Sequence, residues 1–151
     1  MAFKISNRYY LIIVVVFNEK VLKIINVIKT SQNMEMEKED IKVNYDREED
    51  MFSLFRIGSK VKFSFDIELP RGDIIIDFDF SGKIAGLEFF NASFYFPFLK
   101  EIDIEKIEAR MKIQYSSNWA QISYEISSPE LKQSISNSII SPYNKELILE
   151  S

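Results

Sequence analysis

Cysteine and histidine are both missing from this 151-residue chain. Their absence excludes thiolate zinc sites, CxxC redox pairs, imidazole ligands and every nucleophile that a histidine would activate. A cysteine-free chain also fits a reducing compartment, so a cytoplasmic location is expected. Glycine is scarce, with four residues, and no GxGxxG or GxxxxGK[ST] loop occurs, which removes the usual phosphate cradles. No catalytic residue is assigned.

No apolar run is long enough to span a bilayer as a helix. The longest, Tyr9–Phe17, follows two basic residues but runs straight into Asn18, Glu19 and Lys20 without a small-residue cleavage site, so it reads as a buried strand. Acids outnumber cations beyond residue 33. Residues 1–33 hold five cations against one acid, a net of +4, and the chain total of −4 therefore leaves −8 on the remainder. An acidic body repels phosphate backbones, so neither a nucleic-acid partner nor a membrane is expected.

What remains is an ordinary globular composition, 46% hydrophobic and 28% charged, of a size that suits one domain without disulfide or metal. The abundance of Ile, Lys, Glu and Phe resembles the usage of a thermophile or of an AT-rich genome. Residues 1–33 read as an N-terminal hydrophobic extension, strand or helix, with Val21–Ile28 ambiguous between the two. Thr30–Asp40 reads as a solvated linker, and Met34 and Met36 within it suggest that the natural chain starts there. Residues 34–151 are then a single β-rich domain.

The fold class expected is mainly β, with antiparallel hairpins forming a sandwich or curled sheet; α+β is the alternative. Ile41, Val43 and Tyr45 alternate with polar residues, a charged turn follows at Asp46–Asp50, and Met51–Ile57 returns as a partner strand. Val61, Phe63, Phe65, Ile67 and Leu69 give the clearest alternation, predicting one buried and one wet face. Ile74–Asp79 and Lys83–Phe90 form a second hairpin around Asp79-Phe80-Ser81-Gly82, with Asp first and Gly fourth in a type I turn and Gly86 suited to a bulge. Ala109–Tyr115 and Trp119–Ile126 form a third. Ser128-Pro129-Glu130 has the signature of a helix start, which predicts a short helix near the C-terminus with Leu131, Ile135 and Ile139 on its buried side, and Leu147–Leu149 as an edge strand.

The segments VNYDREEDMFSLFRI (residues 43–57) and DIIIDFDFSGKIAGLEFFNAS (residues 73–93) resemble a small prokaryotic family, the domain of unknown function 2283. Its pattern is a Tyr-Asp-x-x-x-Asp hairpin, an apolar strand ending in Asp, Gly-x-x-x-Gly-x-Glu and an Asn-Ala-Ser close. Tyr45, Asp46, Asp50, Asp77, Asp79, Gly82, Gly86, Glu88, Asn91, Ala92 and Ser93 carry it here. The resemblance implies no established activity. It does imply an antitoxin-like role, as partner of a small toxin.

Carboxylates are the abundant chemistry-bearing side chains. Asp73, Asp77 and Asp79 fall on one face of a strand, with Glu88 on its neighbour, and such a set suits Mg²⁺ or Ca²⁺, or acid–base work. The plainer reading makes them the solvated face of a hairpin, with Asp46 and Asp79 as turn formers. Phe94, Tyr95, Phe96, Phe98 and Leu99 form an aromatic run that, as a strand, needs cover on both faces, which a subunit interface or the rest of a sandwich would supply. The expectation is therefore a non-enzymatic β module that associates with itself, as a homodimer, or with a protein partner; the alternative is a divalent-metal-binding module or metal-assisted enzyme at Asp73, Asp77, Asp79 and Glu88. Arg71-Gly72-Asp73 and Asn91-Ala92-Ser93 match common short motifs, and neither is assigned a function.

Overall fold

A computed structural model describes strand residues 2–6, 9–12 and 14–16 and the chain from residue 35 to 151, with side chains from Asp40 onward. Val21–Ile28, residues 30–34 and the rest of the N-terminal segment lie outside the described residues. The fold is mainly β, as the alternating patterns predict: a nine-stranded antiparallel sheet curled into a half-barrel, with helix confined to short pieces.

The strands in chain order are β1 (Ala2–Ser6), β2 (Tyr9–Ile12), β3 (Val14–Val16), β4 (Glu35–Asp46), β5 (Met51–Arg56), β6 (Val61–Ile67), β7 (Ile74–Asp79), β8 (Ile84–Phe89), β9 (Glu108–Tyr115), β10 (Trp119–Ser127) and β11 (Ile135–Pro142). β1 and β2 pair with each other; the main sheet runs β3-β11-β10-β9-β4-β5-β8-β7-β6. The twelve-residue β4 is the hinge of this arrangement. Its first half, Glu35–Asp40, pairs with β9, and its second half, Ile41–Asp46, pairs with β5, so one strand passes from one half of the sheet to the other. The linker expected over Thr30–Asp40 is therefore a strand from Glu35 onward. EMEKED carries almost no apolar alternation, and the ladder to β9 decides what local pattern cannot.

The concave face is the core. Phe52, Leu54, Ile74, Ile76, Leu87 and Phe89 from one half meet Met111, Ile113, Ile122, Tyr124, Ile126 and Ile139 from the other. Phe52, Phe89, Phe96 and Tyr124 form a ring cluster, with Phe89 edge-on to Phe96 at 5.0 Å and to Tyr124 at 5.6 Å between centroids. Each such ring buries on the order of 150–250 Å², so this cluster is a large share of the apolar burial at its end of the half-barrel. Helix α1 (Ala92–Tyr95) and the 3-10 turn Pro97–Lys100 close that end with Phe96 and Leu99. Tyr143 and helix α2 (Lys145–Glu150) close the other. Tyr143 stacks on Phe78, and its hydroxyl donates to the Gly82 carbonyl at 2.9 Å.

The predicted hairpins are present, but three assignments change. The helix expected after Ser128 is a loop followed by β11, with Ile139 opposite Ile122 and Ile135 opposite Ile126. The Ser128 hydroxyl accepts from the Glu130 N–H at 3.3 Å, so the capping signature serves a turn instead, and serine-rich alternation then suits a strand. The helix lies further on, at Lys145–Glu150, where an edge strand was expected; Asn144 caps it by accepting from the Leu147 N–H at 3.1 Å. The Phe94–Leu99 run is also not a strand. It forms α1 and a 3-10 turn, which buries Phe96 and Leu99, half-buries Tyr95 and Phe98 and exposes Phe94. The two-face argument for an interface there loses its premise. No helix among the described residues is long and apolar enough to cross a membrane.

Candidate functional site

The residues that carry the family pattern divide into three polar constructions on and beside β5-β8-β7-β6. The first ties the β4–β5 turn to α1. Asp50 occupies the left-handed region at φ 49°, and its carboxylate accepts from the Tyr45 hydroxyl at 2.8 Å, the Ser93 N–H at 3.0 Å and the Ser93 hydroxyl at 2.7 Å. The Asp50 carbonyl also accepts the Ala92 N–H at 2.8 Å. Burial pushes the Asp50 pKa up, but the bonds from Ser93 and Tyr45 outweigh it and leave the carboxyl below its usual value. Burial, reinforced by the bond to Asp50, lifts the Tyr45 hydroxyl to about 12. This is an anchor between a turn and a helix.

The second construction is the β7–β8 turn. Asp79 Oδ1 accepts from the Ser81 N–H at 2.8 Å, the Ser81 hydroxyl at 2.6 Å and the Lys83 N–H at 3.0 Å, while Oδ2 pairs with the Arg56 guanidinium. Gly82 sits at φ 79°, which its missing Cβ permits. Beyond the turn, a β-bulge frees the Ile84 N–H from the ladder, and the Tyr115 hydroxyl reaches across from β9 to accept it at 2.9 Å.

The third is a pair of carboxyls on the convex face. Gly86 lies between Phe55 and Asp77 in register, and Ser64 is opposite Asp77 on β6. A Cβ on Gly86 would stand 2.5 Å from Phe55 Cδ1 and 2.6 Å from the Leu54 carbonyl oxygen, so the Phe55 ring occupies the space that glycine vacates. Asp77 is left 1% exposed. Its Oδ1 accepts the Ser64 hydroxyl at 2.5 Å, and its Oδ2 has no N–H or hydroxyl donor among the described residues. The Glu88 carboxyl interacts with Asp77, and it can donate to Asp77 only while it holds a proton. Burial first, and then the neighbouring Asp77, raise Glu88 to about 7; burial raises Asp77 as well, against the bonds from Ser64 and Glu88. Both acids are therefore held toward their protonated forms, as a coupled pair that keeps a proton toward neutral pH.

The four acids of the metal reading do not come together. Asp79 is engaged by Arg56 and its own turn, and Asp73 accepts the Leu69 N–H at 3.3 Å and faces Asp66; only Asp77 and Glu88 meet. Among the described residues no group of three or more acids is arranged to hold a metal ion. The shared strand face was legible, but the nonlocal partners Arg56 and Ser64, which draw the acids apart, were not.

The same sheet ends in an open edge. β6 is its last strand, and Ile67, Phe65 and Phe63 grade from buried through half-buried to 37% exposed, with Val61 44% exposed beyond them. The wholly buried face that alternation predicts thus holds at one end of the strand only, because no strand among the described residues covers its outer side.

These constructions coincide with a known sequence signature. Residues 42–93 match the family described as protein of unknown function (DUF2283). The chain is also similar to uncharacterized protein MJ0789 of Methanocaldococcus jannaschii, 40% identical over 53 residues, which are 35% of this chain and 42% of that protein. The similarity thus spans less than half of that relative's length. No solved structure matches. The DUF2283 segment spans β5 to β8 with most of the β4–β5 hairpin, and its pattern residues are explained by folding: Tyr45, Asp50 and Ser93 pin turn to helix, Asp79 and Gly82 build a turn, and Gly86 admits Phe55 beside the buried acids.

Proposed function

We propose that this protein is a non-enzymatic β module that binds another polypeptide by adding its strand to the open edge at β6. The observation that carries the reading is the edge itself, seven residues with Val61 and Phe63 exposed and no strand among the described residues paired to its outer side. Two features strengthen it. Lysine usually guards an open edge, but the Lys62 ammonium is drawn onto the C-terminal turn of α2, donating to the carbonyls of Ile148 at 3.2 Å and Leu149 at 2.5 Å. The carboxyls on the convex face, for their part, are closed in: Asp77 is buried beneath its neighbours and serves Ser64 of the edge strand.

Hydrogen exchange tests the reading. A synthetic peptide spanning Val61–Ile67, added in excess, is expected to slow exchange of β6 amides and to leave β9 and β10 unchanged. Phe63→Lys should abolish the protection. Unchanged β6 exchange at millimolar peptide would refute strand addition.

A further inference from the structure

We infer that the strand added to β6 is β6 of a second copy, running antiparallel about a two-fold axis at Ser64. This rests on the strand-addition reading above. The residues Lys60 to Glu68 read KVKFSFDIE. Folded back antiparallel on Ser64, Lys60 falls opposite Glu68, Val61 opposite Ile67, Lys62 opposite Asp66 and Phe63 opposite Phe65, with Ser64 facing its own copy. Every cation meets an acid and every apolar residue meets an apolar one, in both arms.

Other registers lose this match. Centring on Phe65 puts Ser64 against Asp66 and Lys60 against Pro70, and centring between residues 64 and 65 puts Phe63 against Asp66. Parallel pairing sets Lys62 on Lys62 and Asp66 on Asp66, which repels. The monomer also carries the imbalance that such a dimer relieves. Asp66, Glu68 and Asp73 gather at one end of the edge, where burial and then the neighbouring acids raise the Asp66 pKa, while Lys60 and Lys62 stand at the other end. Lys62 stays tied to α2 and lies at a bulge in β6, so its charge acts along the edge, while Lys60 is exposed at its start. Pairing of one strand is smaller than the standard interface of about 1,600 Å², so association on the order of micromolar is expected.

The absence of native cysteine makes the register directly readable. Directly opposed antiparallel residues have Cα atoms about 4.5–5.5 Å apart, within disulfide range. Ser64→Cys is therefore expected to give a covalent dimer on mild oxidation. Asp66→Cys should not, because residue 66 faces residue 62, and its own copy lies about 13 Å away along the strand. Since Ser64 bonds Asp77, charge variants provide a second line: Lys60→Glu and Glu68→Lys should each weaken the dimer several-fold, and the two together should restore it. A dimer by sedimentation in which Asp66→Cys cross-links, or in which Ser64→Cys does not, overturns this register and leaves strand addition standing. A chain that stays monomeric yet shows peptide protection of β6 overturns self-pairing alone.

Discussion

Raising the pH from 5 to 8 should destabilise this protein, and the loss should trace to one side chain. Glu88 holds its proton to about 7 in the folded chain, against an ordinary value of 4.5. Between these values the folded state binds more protons than the unfolded state, so stability present below pH 4.5 is lost progressively as pH rises through 7. The shift corresponds to about 3 kcal/mol, and to about 2 kcal/mol after allowance for solvent screening at a half-buried group. For a chain of this size that is a fall in Tm of roughly 4–8 °C. Asp77, also raised by burial, adds to the effect with the same sign, whereas Asp50, held low by Ser93 and Tyr45, loses its contribution only in the acid range.

The window is unusually clean because the chain has no histidine or cysteine to titrate within it. Glu88→Gln keeps a donor for Asp77 and carries no proton to lose. Urea unfolding at pH 5, 6, 7 and 8 should show wild type falling and Glu88→Gln falling much less, with the two close at pH 5 and the variant ahead by about 2 kcal/mol at pH 8. A wild type that is flat or rises over this range, or a variant that keeps the slope, would refute the retained proton.

Gly86→Ala should lower stability by about 2–3 kcal/mol in denaturant unfolding, because the new methyl meets Phe55 and the Leu54 carbonyl, of which the backbone oxygen cannot give way. Asp50→Ala strips the partners from Tyr45 and Ser93 and should cost about 2–3 kcal/mol, with faster hydrogen exchange at Ala92 and Ser93. Millimolar Mg²⁺ or Ca²⁺ should leave Tm unchanged, since the four candidate acids are separated; a rise of several degrees would restore the metal reading.

The parts of the fold legible in advance were those fixed by local alternation and turn chemistry. The three hairpins, the Asp79–Gly82 turn and the strand Val61–Ile67 all follow from such signals. Nonlocal pairing was not legible: nothing in EMEKED announces its ladder to β9, and the pairing of β5 with β8 bridges sequence separations that periodicity does not report. The C-terminal helix and strand were exchanged because Ser-Pro-Glu opens a turn as readily as a helix, and because Asn144, the actual cap, precedes a segment short enough to resemble an edge strand. At the candidate site, a shared face for Asp73, Asp77 and Asp79 was readable, and so was Glu88 on the neighbouring strand. Arg56 and Ser64, which decide what Asp79 and Asp77 do, come from other strands and left no local trace.

The central claim, that the β6 edge binds a second copy, is tested most directly by sedimentation velocity of the chain from low micromolar to high micromolar concentration. The account predicts a reversible monomer–dimer equilibrium in wild type, and a monomer throughout for Phe63→Lys, which places a charge on the exposed edge and gives up one ring contact with the core, to Phe78. A wild-type chain that is monomeric over the whole range, or a Phe63→Lys variant that dimerises equally well, would contradict it.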